Sequence, residues 1–182
     1  MLIVRDLPGL DAFAGGVLVP TMGALHAGHR ALIEHAAALA REHSPQAPVI
    51  VSLFVNPTQF NEQSDFDHYP RDEQADARLC EEAGADCIFA PEVSVMYPPG
   101  APAPVPPLPA VATEPGLEDA HRPGHFAGVC QVCARLFELV RPSRAIFGEK
   151  DWQQLAVIRA LAADAFPSLQ IIPHPTVREP DG

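Results

Sequence analysis

Gly16-Val-Leu-Val-Pro-Thr-Met-Gly-Ala-Leu-His-Ala-Gly-His29 is the stretch on which the fold of this chain turns. Its first residues, Gly16–Pro20, make an apolar run that predicts a buried strand. The alanine-rich run after it, Arg30–Arg41, predicts a helix. Between them, Pro20–His29 is a turn that carries two glycines and two histidines. A strand, a glycine turn and a helix start make a natural seat for a triphosphate. The helix N-terminus presents unpaired N–H groups and the positive end of the dipole. Gly23 and Gly28 let the backbone approach phosphate oxygens with no Cβ in between. His26 and His29 add hydrogen bonds where charge builds on a phosphate. The combination points to attack at the α-phosphate of ATP. Two other readings stay open here. One is a plain structural turn. The other is a zinc pair, which has no cysteine or third histidine near it in sequence.

Outward from this stretch the chain alternates. Apolar runs at Val49–Val55, Cys87–Ala90, Arg144–Phe147 and Leu169–Ile172 predict further buried strands. Asp72–Ala83, Phe126–Val140 and Trp152–Ala165 predict further helices. Alternating strands and helices predict an α/β fold, a parallel sheet with helices on both faces. Ligands of such sheets sit beyond the carboxyl ends of the strands. Pro20–His29, Asn56–Phe60 and Gly148–Asp151 all fall there. The proline-rich stretch 98–115 fits neither a helix nor a central strand, and reads as an extended flap inside the domain.

At 182 residues the chain predicts a single domain with a full core. A net charge of −11 argues against a nucleic-acid backbone as partner, although a local pocket on an acidic protein can still take ATP. No run of about 18 apolar residues predicts a membrane span. The first residues, Met1-Leu-Ile-Val-Arg-Asp6, do not resemble a secretory signal. Cys130 and Cys133 have the spacing of a redox or zinc pair. They also share helical spacing with Val129, Val132, Leu136, Phe137 and Val140, which makes them core residues. Reduced thiols and a cytoplasmic location are the expectation.

Other segments carry chemistry beside the histidine turn. Pro57 ends its strand, which frees Gln59 to enter the crevice as a neutral donor and acceptor for a hydroxyl or carboxylate. Asp65-Phe-Asp-His-Tyr-Pro-Arg71 offers acids either for magnesium or for capping the next helix, and Asp76 is a second magnesium candidate. Arg122 either meets a phosphate or carboxylate, or pins the flap through an ion pair. In Phe147-Gly-Glu-Lys-Asp-Trp-Gln-Gln154, Gly148 ends a strand and Lys150 supplies a mobile charge for phosphate. Asp151 can accept from ribose hydroxyls, and Gln153 and Gln154 open a helix.

The turn His26-Ala-Gly-His29 resembles that of nucleotidyltransferases related to class I aminoacyl-tRNA synthetases. Six segments together, in order, resemble the pantothenate synthetase family over essentially the whole chain. They are Val19–His29, Phe54–Phe60, Tyr69–Arg71, Arg122–Phe126, Phe147–Gln154 and Pro175–Gly182. The resemblance implies a Rossmann-like doubly wound parallel sheet. It implies a ligase that joins pantoate to β-alanine with ATP and Mg2+ through a pantoyl adenylate. It gives catalytic roles to His29, His26 and Lys150. It places ATP against Pro20, Met22, Gly23, Ala24, Leu25, His26, Ala27, Gly28, His29, Gly148, Glu149, Lys150, Asp151 and Val177. Pantoate and β-alanine fall to Gln59, and pantoate also to Gln154. It further implies a homodimer for the full-length protein.

Three departures stand out. Position 27 is Ala where the family often has Glu. The flap is richer in proline than usual. The family continues beyond the segment that ends at Gly182 into a serine-serine-arginine loop and a small C-terminal domain. Residues 1–182 are therefore expected to form the nucleotide-binding N-terminal domain, with little activity alone. Two other functions remain in view: a nucleotidyltransferase acting on a phosphate-bearing substrate, and a module that binds ATP or pantoate without turnover.

Overall fold

The computed structural model describes residues 1–43, 47–60, 62–100 and 104–182. The side chain of Asp65 and residues 101–103 of the proline-rich stretch lie outside the described set. Six strands form one parallel sheet: β1 (Leu2–Val4), β2 (Val17–Thr21), β3 (Val49–Leu53), β4 (Cys87–Phe89), β5 (Arg144–Gly148) and β6 (Gln170–His174). Their order across the sheet is β1-β4-β3-β2-β5-β6. The helices among the described residues are α1 (Ala27–His43), α2 (Gln63–Asp67), α3 (Glu73–Ala83), α4 (Val93–Met96), α5 (Glu118–His121), α6 (His125–Val140) and α7 (Trp152–Ala165).

The register explains why the strands read as unbroken apolar runs. Val17 pairs with Val49 and Leu18 with Ile50, so neighbouring strands present matching faces. Val17, Val19, Val49, Val51 and Ile146 pack on one face against Ile33, Ala36, Ala37 and Ala40 of α1 and Cys80 and Ala83 of α3. Leu18, Ile50, Phe89, Ala145 and Phe147 pack on the other face against α6 and α7. Both faces are buried, so neither needs polar residues. The period of two is visible only in which helix each residue meets.

Local chemistry sets the helix ends. Asp72 caps α3 by accepting from the Ala75 N–H at 2.9 Å. The helix stops at Gly84, whose φ of 95° suits glycine. Cys80, Cys87, Cys130 and Cys133 are all free and buried. Burial pushes the Cys130 thiol up to about 11, which keeps it an inert thiol, as its helical spacing predicts. The short edge strand β1 carries no signal that sequence reading picked up. It is three residues long and pairs only with β4.

The strand order places a switch point beside β2. From β2 the chain runs outward to β3 and β4, then returns to lay β5 on the other flank of β2. Connections leaving β2 and β5 therefore diverge at their carboxyl ends and open a crevice there.

Candidate nucleotide site

The crevice at the switch point is lined by the histidine turn on one side and Gly148–Asp151 on the other. His26 stands immediately before α1, and its carbonyl accepts the Arg30 N–H at 3.0 Å. Its ring also caps the helix, because the Gly28 N–H donates to His26 Nδ1 at 3.1 Å. The His26 N–H in turn donates to His29 Nδ1 at 3.4 Å. An N–H can only donate, so both Nδ1 atoms are acceptors. The neutral rings therefore carry their protons on Nε2. The two rings lie 4.2 Å apart, tilted by 52°.

Burial, reinforced by the nearby Lys150 charge and opposed by Asp76 and Asp151, pulls the His29 pKa down to about 4. His29 is thus a neutral Nε2–H donor at physiological pH. Lys150 follows β5, the sheet neighbour of β2, at the same end as the histidine turn. Lys150 itself is largely exposed and holds Asp151 at 3.3 Å. A pair this open contributes little to stability and leaves the ammonium free to turn to a phosphate. Gly148 pairs with His174 in register, so Val177, three residues past β6, lies at the same sheet end.

Gln59 follows β3 and reaches the histidine turn. Its Nε2 donates to Met22 Sδ at 3.0 Å, and its Oε1 accepts from Asn56 Nδ2 at 3.3 Å. Asn56 is fully buried and holds this corner together. Its Nδ2 donates to the Gly128 carbonyl, and its Oδ1 accepts from the Thr58 N–H and hydroxyl and from the Tyr97 hydroxyl. Gly128 lets α6 come this close: a Cβ there would sit 2.5 Å from the Thr58 carbonyl oxygen. His125 adds a further support. Its Nδ1–H donates to the Gln59 carbonyl at 3.3 Å, and its Nε2 accepts from Arg122 at 3.5 Å. Arg122 also pairs with Glu118 at 3.3 Å, so it acts through His125 and the flap.

The two glutamines that open α7 divide. Gln153 is buried and ties the flap down. Its Oε1 accepts from the Glu118 N–H at 2.9 Å, and its Nε2 donates to the Val111 carbonyl at 3.0 Å and Asp119 Oδ1 at 2.7 Å. Gln154 is half-buried, and its side chain makes no hydrogen bond to the described residues. Asn56, Tyr97, His125 and Gln153 are thus the site-shaping residues to which sequence reasoning gave no role. The Asn-Pro-Thr spacing, an Asx turn before a 3-10 turn, was the one local signal available for Asn56.

The Asp76 carboxylate turns to the backbone of the histidine turn. Its Oδ2 accepts from the Ala24 N–H at 3.0 Å and its Oδ1 from the Leu25 N–H at 2.7 Å. Among the described residues, no group of three or more His, Cys, Asp or Glu gathers that could hold a metal. A cavity of about 290 Å³ adjoins the turn on its β3–β4 side, lined by Met22, Gly23 and Asp76 together with Arg5, Arg71 and Glu73. No described helix is long and apolar enough to cross a membrane.

Comparison with known proteins agrees with this geometry. The family model for pantoate-beta-alanine ligase matches residues 12–182. A pantothenate synthetase of Rubrobacter xylanophilus is 50% identical over 186 residues, covering 98% of this chain and 62% of that protein. The crystal structure of the Thermus thermophilus enzyme superposes with a TM-score of 0.89 at 46% identity, covering 100% of this chain and 64% of that one. The pantoate-beta-alanine ligase of Francisella tularensis, solved with beta-gamma ATP and beta-alanine, superposes with a TM-score of 0.85 at 36% identity, over 99% of this chain and 69% of that one. The chain spans about half to two thirds of the length of the curated relatives it matches. With a parallel α/β sheet, a histidine turn at its switch point and this likeness over nearly its whole length, the chain belongs to the pantoate-beta-alanine ligase family.

Proposed function

We propose that the full-length protein condenses pantoate with β-alanine, forming pantothenate, AMP and pyrophosphate, and that residues 1–182 supply its nucleotide and pantoate sites. The observation that carries this reading is the contact of Gln59 with Met22. It sets a neutral amide against a turn that presents two Nε2–H donors. On this reading Gln59 and Gln154 hold the carboxylate that attacks an α-phosphate held by His26 and His29. A substrate bearing its own phosphate would call for cations where these glutamines stand, which disfavours the other nucleotidyltransferase reading.

In the first step a pantoate carboxylate oxygen attacks the α-phosphorus. The bond from that phosphorus to the bridging oxygen of the β-phosphate breaks, and pyrophosphate leaves with the electron pair. His26, His29 and Lys150 stabilise charge gathered on the phosphate oxygens. In the second step the β-alanine amine attacks the acyl carbon, AMP departs with the former carboxylate oxygen, and the amine gives up a proton. The mixed anhydride is open to hydrolysis, so a clamped flap that limits water serves the reaction. Magnesium enters as the counter-ion carried by ATP. The protein acts as a homodimer in the cytoplasm, and residues 1–182 alone bind nucleotide but ligate slowly.

Exchange of labelled pyrophosphate into ATP tests the assignment. The full-length protein is expected to catalyse it with pantoate present and β-alanine absent. Exchange with a different acid and none with pantoate would overturn the substrate.

A further inference from the structure

The histidine turn is held from behind by a helix distant in sequence. Gly23 and Ala24 have φ values of 88° and 53°, both left-handed. For Ala24 this conformation costs about 1–2 kcal/mol relative to the right-handed form. Left-handed residues in a turn can set successive N–H groups around a small anion-binding concavity. In this protein the concavity is filled from within. The Asp76 carboxylate takes the Ala24 and Leu25 N–H groups at 3.0 and 2.7 Å. The neighbouring Gly23 N–H goes to Thr21 Oγ1 at 3.2 Å. Three consecutive amides of the turn are thus occupied by protein groups, and Asp76 is only 4% exposed.

We propose that Asp76 is a positioning residue for the reaction: its carboxylate holds Gly23–Leu25 in the left-handed turn and so fixes where the His26 and His29 donors stand. The inference rests on reading that turn as the phosphate site. It assigns phosphate contact to the start of α1 and the two imidazoles, and withdraws the Ala24 and Leu25 N–H groups from it. Gly23 is required for the same reason, since a Cβ there would stand 3.0 Å from Asp76 Oδ2 in a conformation unfavourable to other residues. Asparagine cannot replace the carboxylate. It offers one acceptor and turns an NH2 group toward the second backbone donor.

The test compares ATP and adenosine binding by wild type, Asp76→Asn and His29→Ala full-length protein. The reporter is fluorescence of Trp152, the single tryptophan of residues 1–182, which adjoins Asp151. Measurements are made with magnesium and with the metal chelated. Asp76→Asn is expected to weaken ATP binding roughly 10- to 100-fold under both conditions, the effect of one unsatisfied buried donor, while adenosine binding holds. A loss seen only with magnesium makes Asp76 a metal ligand and overturns the proposal. So does an equal loss for adenosine, which marks a merely structural role. Unchanged ATP binding in Asp76→Asn beside a clear loss in His29→Ala overturns the positioning role alone. Unchanged binding in His29→Ala overturns the phosphate site and this inference with it. Should Asp76→Asn fail to fold, amide exchange of the wild type decides. Protected Ala24 and Leu25 amides support the proposal, and freely exchanging ones contradict it.

Discussion

At the scale of single residues, the site works by keeping His29 neutral. Its pKa is pulled down to about 4 by burial and by the Lys150 charge. Its ring is therefore expected to show no titration between pH 8 and 6 in an NMR experiment, with a midpoint near 4. A midpoint near the usual 6.5 would contradict the burial argument. The stability consequence follows from linkage. The unfolded chain takes up the His29 proton below about pH 6.5, whereas the folded chain resists until about 4. The contribution of neutral His29 is complete above that upper value and is lost as pH falls through the window. Thermal unfolding scans from pH 7 to 4 should show the wild type losing more stability on acidification than His29→Gln. Equal losses would contradict the assignment. His125 is depressed in the same direction, chiefly by burial, so it too holds Gln59 as a neutral ring.

At the scale of elements, the crevice is set by two close contacts that involve helix starts. The first is α6 against the turn after β3. Gly128→Ala would drive a Cβ to within 2.5 Å of the Thr58 carbonyl oxygen and 2.8 Å of Gln59 Cα. The turn must shift, at a cost of about 1–3 kcal/mol, and Gln59 shifts with it. Denaturant unfolding should show that loss, and pantoate affinity should fall while ATP affinity stays near wild type. The second contact is the latch between α7 and the flap. Gln153 satisfies groups on Val111, Glu118 and Asp119 at once. Gln153→Ala should leave the part-buried Glu118 and Val111 bonds unmade, a loss of about 1 kcal/mol, and release the segment between them. Limited proteolysis between Val111 and Arg122 is expected to speed up severalfold. A cleavage rate equal to wild type would show that the flap is held by other contacts.

At the scale of the whole molecule, the parts of the structure that sequence could reveal are those decided locally. The inner strands announce themselves because both faces of the sheet are covered there and most of their residues are apolar. The helices between them carry a clear period. The common end of Pro20–His29, Asn56–Phe60 and Gly148–Asp151 follows from parallel alternation alone. What stayed hidden depends on pairings between distant residues. Asp76 meets Ala24 across 52 positions, and Asn56 meets Gly128 across 72. No local spacing reports either bond, so Asp76 read as a metal candidate and Gly128 as an unremarked helical residue. The edge strand β1 was hidden for another reason: its three residues are bounded at once by Arg5 and Asp6, and two of them are exposed. At this scale the central claim concerns which bond of ATP the bound acid attacks. The direct test supplies pantoate labelled with oxygen-18 in its carboxylate to the full-length protein, with ATP and β-alanine, and weighs the products by mass spectrometry. Attack at the α-phosphate predicts one labelled oxygen in AMP, with pyrophosphate unlabelled. Unlabelled AMP, or label appearing in inorganic phosphate beside ADP, would contradict it.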